Sequence, residues 1–197
     1  MTFAAPHFRD LSDIARFLEA HASLHALLLH VESLDLPDAW IGAGLIRNAV
    51  WDALHGREVD VSRLNDVDVV FLDHADASEA QDLAIEDRLR DLASDIPWQV
   101  RNQARMYQRN GDAPYRSTYE AIACWPETAT AIAARMVRGR VEVMAPHGIE
   151  DLVNLIVRPP PAFAHKMNIY RERIRSKDWA ARWPKLTFID AALEPAS

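Results

Sequence analysis

A single cysteine, Cys124, stands among the 197 residues of the chain. One thiol makes no disulfide framework, no thiolate metal site and no paired redox motif, and a reducing compartment is expected. Positive charge is also scarce, since 22 lysines and arginines against 29 acids leave a formal charge of −7. The acids are spread along the chain, which argues against gripping nucleic acid by bulk electrostatics and leaves open only a local basic groove. No segment approaches eighteen uninterrupted apolar residues, and the longest candidate, LHALLLHVESL, has the length of a core helix, so no membrane partner is expected. The opening MTFAAPHFRD lacks the basic start and apolar run of a leader, which adds to the expectation of a cytoplasmic protein. His21 and His25 have the spacing of a zinc-protease pair but lack its glutamate, and no Gly-x-Ser-x-Gly elbow occurs. Hydrolase chemistry on a serine or cysteine nucleophile is thereby disfavoured.

What is present suits a globular chain: 49% of the residues are apolar and 26% charged, enough for one full-sized domain with a core over residues 1–197. Apolar positions from Leu11 to Leu28 recur at helical spacing with an interruption near Ala20 to Ser23, which predicts a helical N-terminal segment over 8–34. A core over 38–157 follows. Its first strand is DAWIGAG, its first helix spans Leu45 to Leu54, and Gly56 terminates that helix. A strand from Asp66 to Leu72, a helix from Ser78 to Asp95 and a strand in the first half of WQVRNQARMY come next. A short helix over Ser117 to Cys124, a hairpin turning at Arg138 and Gly139, and a helix over Gly148 to Val157 complete the core. RPPP reads as a rigid linker to a basic C-terminal helix within 162–184, and the six tryptophans read as core or interface anchors rather than base-stacking platforms. The order of elements predicts an α/β (α+β) fold, a small mixed sheet flanked by helices.

One pattern carries chemistry. AWIGAGLIRNAVWDALHG is a strand that breaks at two glycines into a helix, and NDVDVVFLD, shortly after it, opens a second strand with two carboxylates. Strand alternation puts Asp66 and Asp68 on one face, where they repel unless a cation lies between them. Paired hard oxygen ligands suit magnesium, or manganese in its place, with water and phosphate filling the remaining positions. The glycine turn offers unpartnered backbone N–H groups to phosphate oxygens. Taken singly, the acids read equally well as a solvated strand entrance and the glycines as a packing requirement.

These residues resemble the polymerase-β-type nucleotidyltransferase superfamily, in which a strand ending in glycine and a small residue, a helix, and a strand with Asp-x-Asp follow one another. Together with WQVRNQARMY, VEVMAPHGIEDL and the closing WP, the stretch from Trp40 to Pro184 is similar to a bacterial nucleotidyltransferase family formerly classed as a domain of unknown function. The resemblance implies transfer of a nucleoside monophosphate from a magnesium nucleoside triphosphate to an acceptor hydroxyl, with the base, the acceptor (small molecule, protein or RNA) and the oligomeric state left open. It makes Asp66 and Asp68 the metal ligands and sets Gly42, Ala43 and Gly44 against the triphosphate. It also calls for a third carboxylate, and since WQVRNQARM has none, Glu142 in the hairpin is the substitute. The interval from Gly44 to Asp66 exceeds the superfamily's usual spacing, with GREVDVSRL as the insertion.

Arg47, in the first turn after the glycines, reads as a phosphate ligand or a surface ion-pair partner. Asn102, Gln103 and Arg105 read as nucleotide contacts or as a buried hydrogen-bond network. The basic run of Lys166, Arg171, Arg173, Arg175 and Lys177 is a solvated face or a cover for the triphosphate. Two rival readings remain: a nucleotide-binding module without catalysis on the same fold, and a dinucleotide-binding βαβ unit with Asp73 as the ribose ligand.

Overall fold

The computed structural model describes residues 6–191. Residues 1–5 of the opening MTFAAPHFRD, on which the expectation about a leader rests, and residues 192–197 lie outside the described residues. Helices α1 (Leu11–Ala20) and α2 (Ala22–Glu32) are separated by His21 in extended conformation, where the apolar periodicity breaks. The Asp10 side chain accepts from the Asp13 N–H at 2.9 Å and so starts α1. Then come β1 (Trp40–Gly42), α3 (Gly44–Leu54), β2 (Val67–Phe71), α4 (Glu79–Leu92) and β3 (Trp98–Asn102). After these follow α5 (Gln103–Asn110), α6 (Thr118–Ala123), β4 (Ala133–Val137) and β5 (Arg140–Met144).

Five strands form one mixed sheet in the order β3-β2-β1-β4-β5. The β2–β3 pair is parallel, and β1 runs antiparallel to both β2 and β4. The antiparallel β4–β5 hairpin turns at Arg138 and Gly139, both at positive φ (50° and 77°) as a tight two-residue turn requires. Alternation divides the sheet into two faces. Val67, Val69 and Phe71 of β2, with Ile41, Val100 and Ala134 beside them, are buried in the main core beneath α1 to α4. On the other face Val70, Trp40, Ala133 and Met144 form a small cluster against Ile122 of α6 and Trp125. Asp66 and Asp68 belong to this second, less covered face.

The C-terminal part departs from the expected helix over Gly148 to Val157. Only α7 (Glu150–Val153) forms; Leu155 then takes a φ of 59°, and β6 (Ile156–Val157) pairs in parallel with β7 (Thr187–Phe188). Between them lie a 3-10 turn over Pro161–Lys166, α8 (Met167–Ser176) and α9 (Trp179–Arg182). Trp179 and Trp183 pack edge-on against Trp51 of α3, at ring-centroid distances of 5.6 and 5.1 Å. Asp52 of α3 accepts the Trp183 Nε1–H at 2.7 Å and a hydrogen bond from Arg182 at 3.2 Å. Thus the tail is fastened to the helix that follows the glycines. No helix among the described residues is long and apolar enough to cross a membrane.

Candidate active site

The register of β1 on β2 sets Trp40 against Val70 and Ile41 against Val69, which brings Gly42 alongside Asp68. Ala43 is the N-cap of α3 and offers no side-chain oxygen, so the N–H groups of the first turn are left without a side-chain cap. A Cβ built on Gly44 would lie 3.6 Å from Asp66 Oδ1. The glycine turn and the first carboxylate are therefore close neighbours, although 21 positions separate them in sequence. Gly42 meets a different neighbour: a Cβ there would run into the Trp125 ring, with Cζ3 at 3.2 Å. Gly42→Val is expected to displace the indole at an overpacking cost of about 1–3 kcal/mol. A lowered melting temperature with a changed near-ultraviolet signature would register it; an unchanged spectrum would contradict it.

Charge in the site is unbalanced towards strain. Burial, and then repulsion from Asp66, pushes the Asp68 carboxyl up from 3.8 to about 6, against the opposing pull of Arg47, Arg173 and Arg101. Arg47 is itself buried, with its guanidinium drawn down from 12.5 to about 10 by desolvation while Glu127, Asp68 and Asp66 hold it up. It is oriented by Asn48 Oδ1, at 2.8 Å from Nη2 and 3.2 Å from Nε, and by the rings of Trp179 (4.5 Å) and Trp51 (5.2 Å). Arg47 is thus a buried cation beside the acids, not a surface residue. Arg173 of α8 is held from behind: its Nε donates to Glu127 Oε1 at 2.7 Å, and Glu127 Oε2 accepts from Thr130 Oγ1 at 2.7 Å.

A cavity of about 420 Å³ opens onto this constellation, lined by Ala43, Asp68, Thr130 and Arg173 on the charged side and by Trp125 and Lys166 among others beyond it. Arg173 and Lys166 of the basic run line it; Arg175 and Lys177 are exposed, and Arg171 pairs with Asp190 at 2.8 Å.

Several expected site residues are placed elsewhere. Glu142 lies on β5, three strands from β2, so roughly 14 Å of sheet separates it from Asp68. Its carboxylate pairs instead with Arg135, its cross-strand partner, at 2.9 Å. Among the described residues no group of three or more His, Cys, Asp or Glu side chains is disposed to hold a metal ion. Because the Glu142 pair is exposed, Glu142→Ala is expected to cost under about 1 kcal/mol and to leave nucleotide binding within twofold of native, measured by titration calorimetry. Asn102 is fully buried, and its amide ties the 73–76 loop: Asp73 O at 2.7 Å, Asp76 O at 2.9 Å and the Asp73 N–H at 3.1 Å. Its Oδ1 also accepts from the Ala104 N–H at 3.0 Å, which starts α5. Arg105 donates to Ala77 O at 2.7 Å and pairs with the buried Asp82. For these two the hydrogen-bond network is what the structure contains. Gln103 donates to Arg101 O at 3.0 Å and lines the cavity.

A dinucleotide-binding unit needs parallel neighbouring strands joined by its helix, and β1 and β2 are antiparallel. That rival fails on topology, and Asp73 is occupied as a turn acceptor for Ala75 N–H and Gln81.

A glycine turn between antiparallel strands, with the carboxylate pair at the mouth of the second, is the architecture of nucleotidyltransferase catalytic heads. The sequence profile of a family described as nucleotidyltransferase matches residues 29–188, and the chain belongs to that family. A structure solved by NMR and described as a CCA-adding enzyme head domain is 30% identical, with a TM-score of 0.84 over 94% of this chain and 99% of that one. Two longer structures share the fold: a Thermotoga maritima CCA-adding enzyme complexed with tRNA (14% identity, TM-score 0.54, 92% of this chain, 42% of that one) and a CCA-adding enzyme with CTP (15%, 0.56, 92% and 43%). The present chain spans about two-fifths of the length of these longer enzymes. No curated protein matches the chain.

Arg173 was a candidate within the basic run, but its Glu127–Thr130 support, and Trp125 as a cavity residue, are what sequence reasoning missed. Glu127 and Arg173 are 46 positions apart, and no local pattern announces their pairing.

Proposed function

We propose that this chain acts as a single cytoplasmic domain that transfers a nucleoside monophosphate from a nucleoside triphosphate to an acceptor hydroxyl. The observation that carries the reading is the closeness of Gly44 to Asp66, beside an Asp68 whose ionisation is opposed by burial and by Asp66. Two adjacent hard carboxylates, one of them strained, form a donor set that a divalent cation relieves. Asp66 and Asp68 would hold magnesium, or manganese in its place, which supplies charge neutralisation for the triphosphate and the departing pyrophosphate. The chain's own residues do the rest by position and charge. The uncapped first turn of α3 presents N–H groups to phosphate oxygens, and Arg47, fixed by Asn48 and two tryptophans, adds a permanent positive charge behind them. Arg173, braced by Glu127, offers the open side of its fork to the cavity.

The relatives whose structures carry CTP and tRNA suggest the acceptor to test first, an RNA 3′-hydroxyl. Incubation of the protein with magnesium, α-labelled ATP or CTP and transfer RNA should release pyrophosphate and label the RNA. A second reading, nucleotide binding without transfer, is favoured by the lack of a third carboxylate near Asp68 among the described residues. Magnesium-dependent nucleotide binding with no pyrophosphate release from any acceptor offered would select it. Absence of nucleotide binding would defeat both.

A further inference from the structure

The cavity is larger than a metal and phosphates require, and its two sides differ in chemistry. The charges that act on Asp68 are Asp66, Arg47, Arg173 and Arg101, whereas those that act on Cys124, which also lines the cavity, are Asp112, Lys166 and Glu120. Trp125 connects the two sides: its ring touches Gly42 at the phosphate turn, and it follows Cys124 directly in the chain. Phe163, Met106 and Ile169 add apolar surface to the cavity wall beside the polar Arg109, Asn110 and Asp112, and Ile169 is 48% exposed. Lys166 closes the far side by donating to Asp112 Oδ1 at 2.7 Å and to Asn110 O at 2.9 Å.

Trp125 differs from most of the other tryptophans. Trp40, Trp51, Trp98 and Trp183 each give Nε1–H to a fixed acceptor. Neither Trp125 nor Trp179 has such an acceptor among the described residues, but Trp179 is buried against Trp51 and Arg47, whereas Trp125 leans on Ile122, Val70 and Met144 with one side and lines the cavity with another. An indole held by apolar contact, half-buried beside a phosphate-binding turn, is a surface for a planar ring.

Resting on the nucleotidyltransferase reading, we propose that Trp125 is the platform on which the nucleotide base stacks, within a base subsite that the Lys166–Asp112 pair closes on the far side. The phosphates lie towards Asp68 and the base towards Phe163. Trp125 therefore contributes to binding of the nucleoside part and not of the phosphate part.

The test compares Trp125→Leu, which keeps an apolar side chain on Ile122 without a π face, with Trp125→Phe, which keeps the face. Each is titrated with ATP, GTP, CTP, UTP and inorganic tripolyphosphate, all with magnesium, and melting curves confirm folding. Trp125→Leu should weaken binding of the best nucleotide by about 10- to 100-fold while leaving tripolyphosphate within twofold, and Trp125→Phe should recover most of the loss. Equal losses for nucleotide and tripolyphosphate, or no loss for either, would overturn the proposal. A native protein that binds tripolyphosphate as tightly as every nucleotide would also overturn it while sparing the phosphate site, whereas a native protein that binds neither would remove the transferase reading itself.

Discussion

Asp68→Asn is expected to raise the melting temperature of the metal-free protein at pH 7 and, in the same molecule, to abolish its magnesium-dependent nucleotide binding. The folded state holds the Asp68 proton up to about 6, against 3.8 for the free group, because burial and Asp66 both oppose its ionisation. Between those two values the folded state binds more protons than the unfolded one, so stability falls as pH rises, and above about pH 6 the full penalty is present. Below the unfolded value both states are protonated and the penalty vanishes. An amide removes the charge without changing the shape. Allowing for partial solvent access, the gain at pH 7 is about 1–2 kcal/mol, or about 2–6 °C for a chain of this size. The gain should be lost as pH is lowered through 5 to below 4, which separates it from a packing effect. A variant that melts at or below native across that range would contradict the strain assigned to this carboxylate.

Trp51→Ala is expected to have the largest effect on stability. The side chain is fully buried, meets Trp179 and Trp183 edge-on, and donates Nε1–H to Leu152 O at 3.2 Å. Truncation of such a ring costs about 3–5 kcal/mol, most of it as an unfilled cavity. The damage extends to function, because Arg47 rests on Trp51 and Trp179. A melting temperature lowered by about 10 °C, together with faster proteolysis within 179–188, is the anticipated outcome. A loss below about 1 kcal/mol would show that the tryptophans do not clasp the tail to α3.

The elements that recorded themselves in sequence are those with local causes. The interruption between α1 and α2, the Ser78 cap of α4 and the Arg138–Gly139 turn each follow from residues within a turn of one another. The strand-turn-helix-strand of the phosphate and acid halves was legible for the same reason. What the sequence did not disclose depends on contacts between distant residues. Leu155 ends α7 early because β6 has a partner in β7, 31 positions on. The polar run at Asn102 looked like ligand chemistry because buried amides and ligand-binding amides have the same composition; only the 73–76 loop, brought alongside by the parallel β2–β3 pair, tells them apart. Glu142 was a candidate by residue type, and sheet order removed it. The bracing of Arg173 depends on Glu127, 46 positions away, and the place of Trp125 in the cavity depends on Gly42.

If the glycine turn and the two carboxylates form one magnesium–nucleoside triphosphate site, nucleotide binding depends on both the metal and the acids. Ligand-induced melting shifts test it most directly, measured with ATP, GTP, CTP and UTP, with and without magnesium, on the native protein and on Asp66→Asn/Asp68→Asn. The shift on adding ligand, not the absolute melting temperature, is the quantity compared, since loss of charge repulsion raises the baseline of the double variant. Ligand at a hundredfold excess over its dissociation constant stabilises by about 2.7 kcal/mol, which gives a shift of several degrees. That shift is expected for at least one triphosphate in the native protein with magnesium, and none in the double variant. A shift that ignores magnesium, or that survives the loss of both carboxylates, would contradict it.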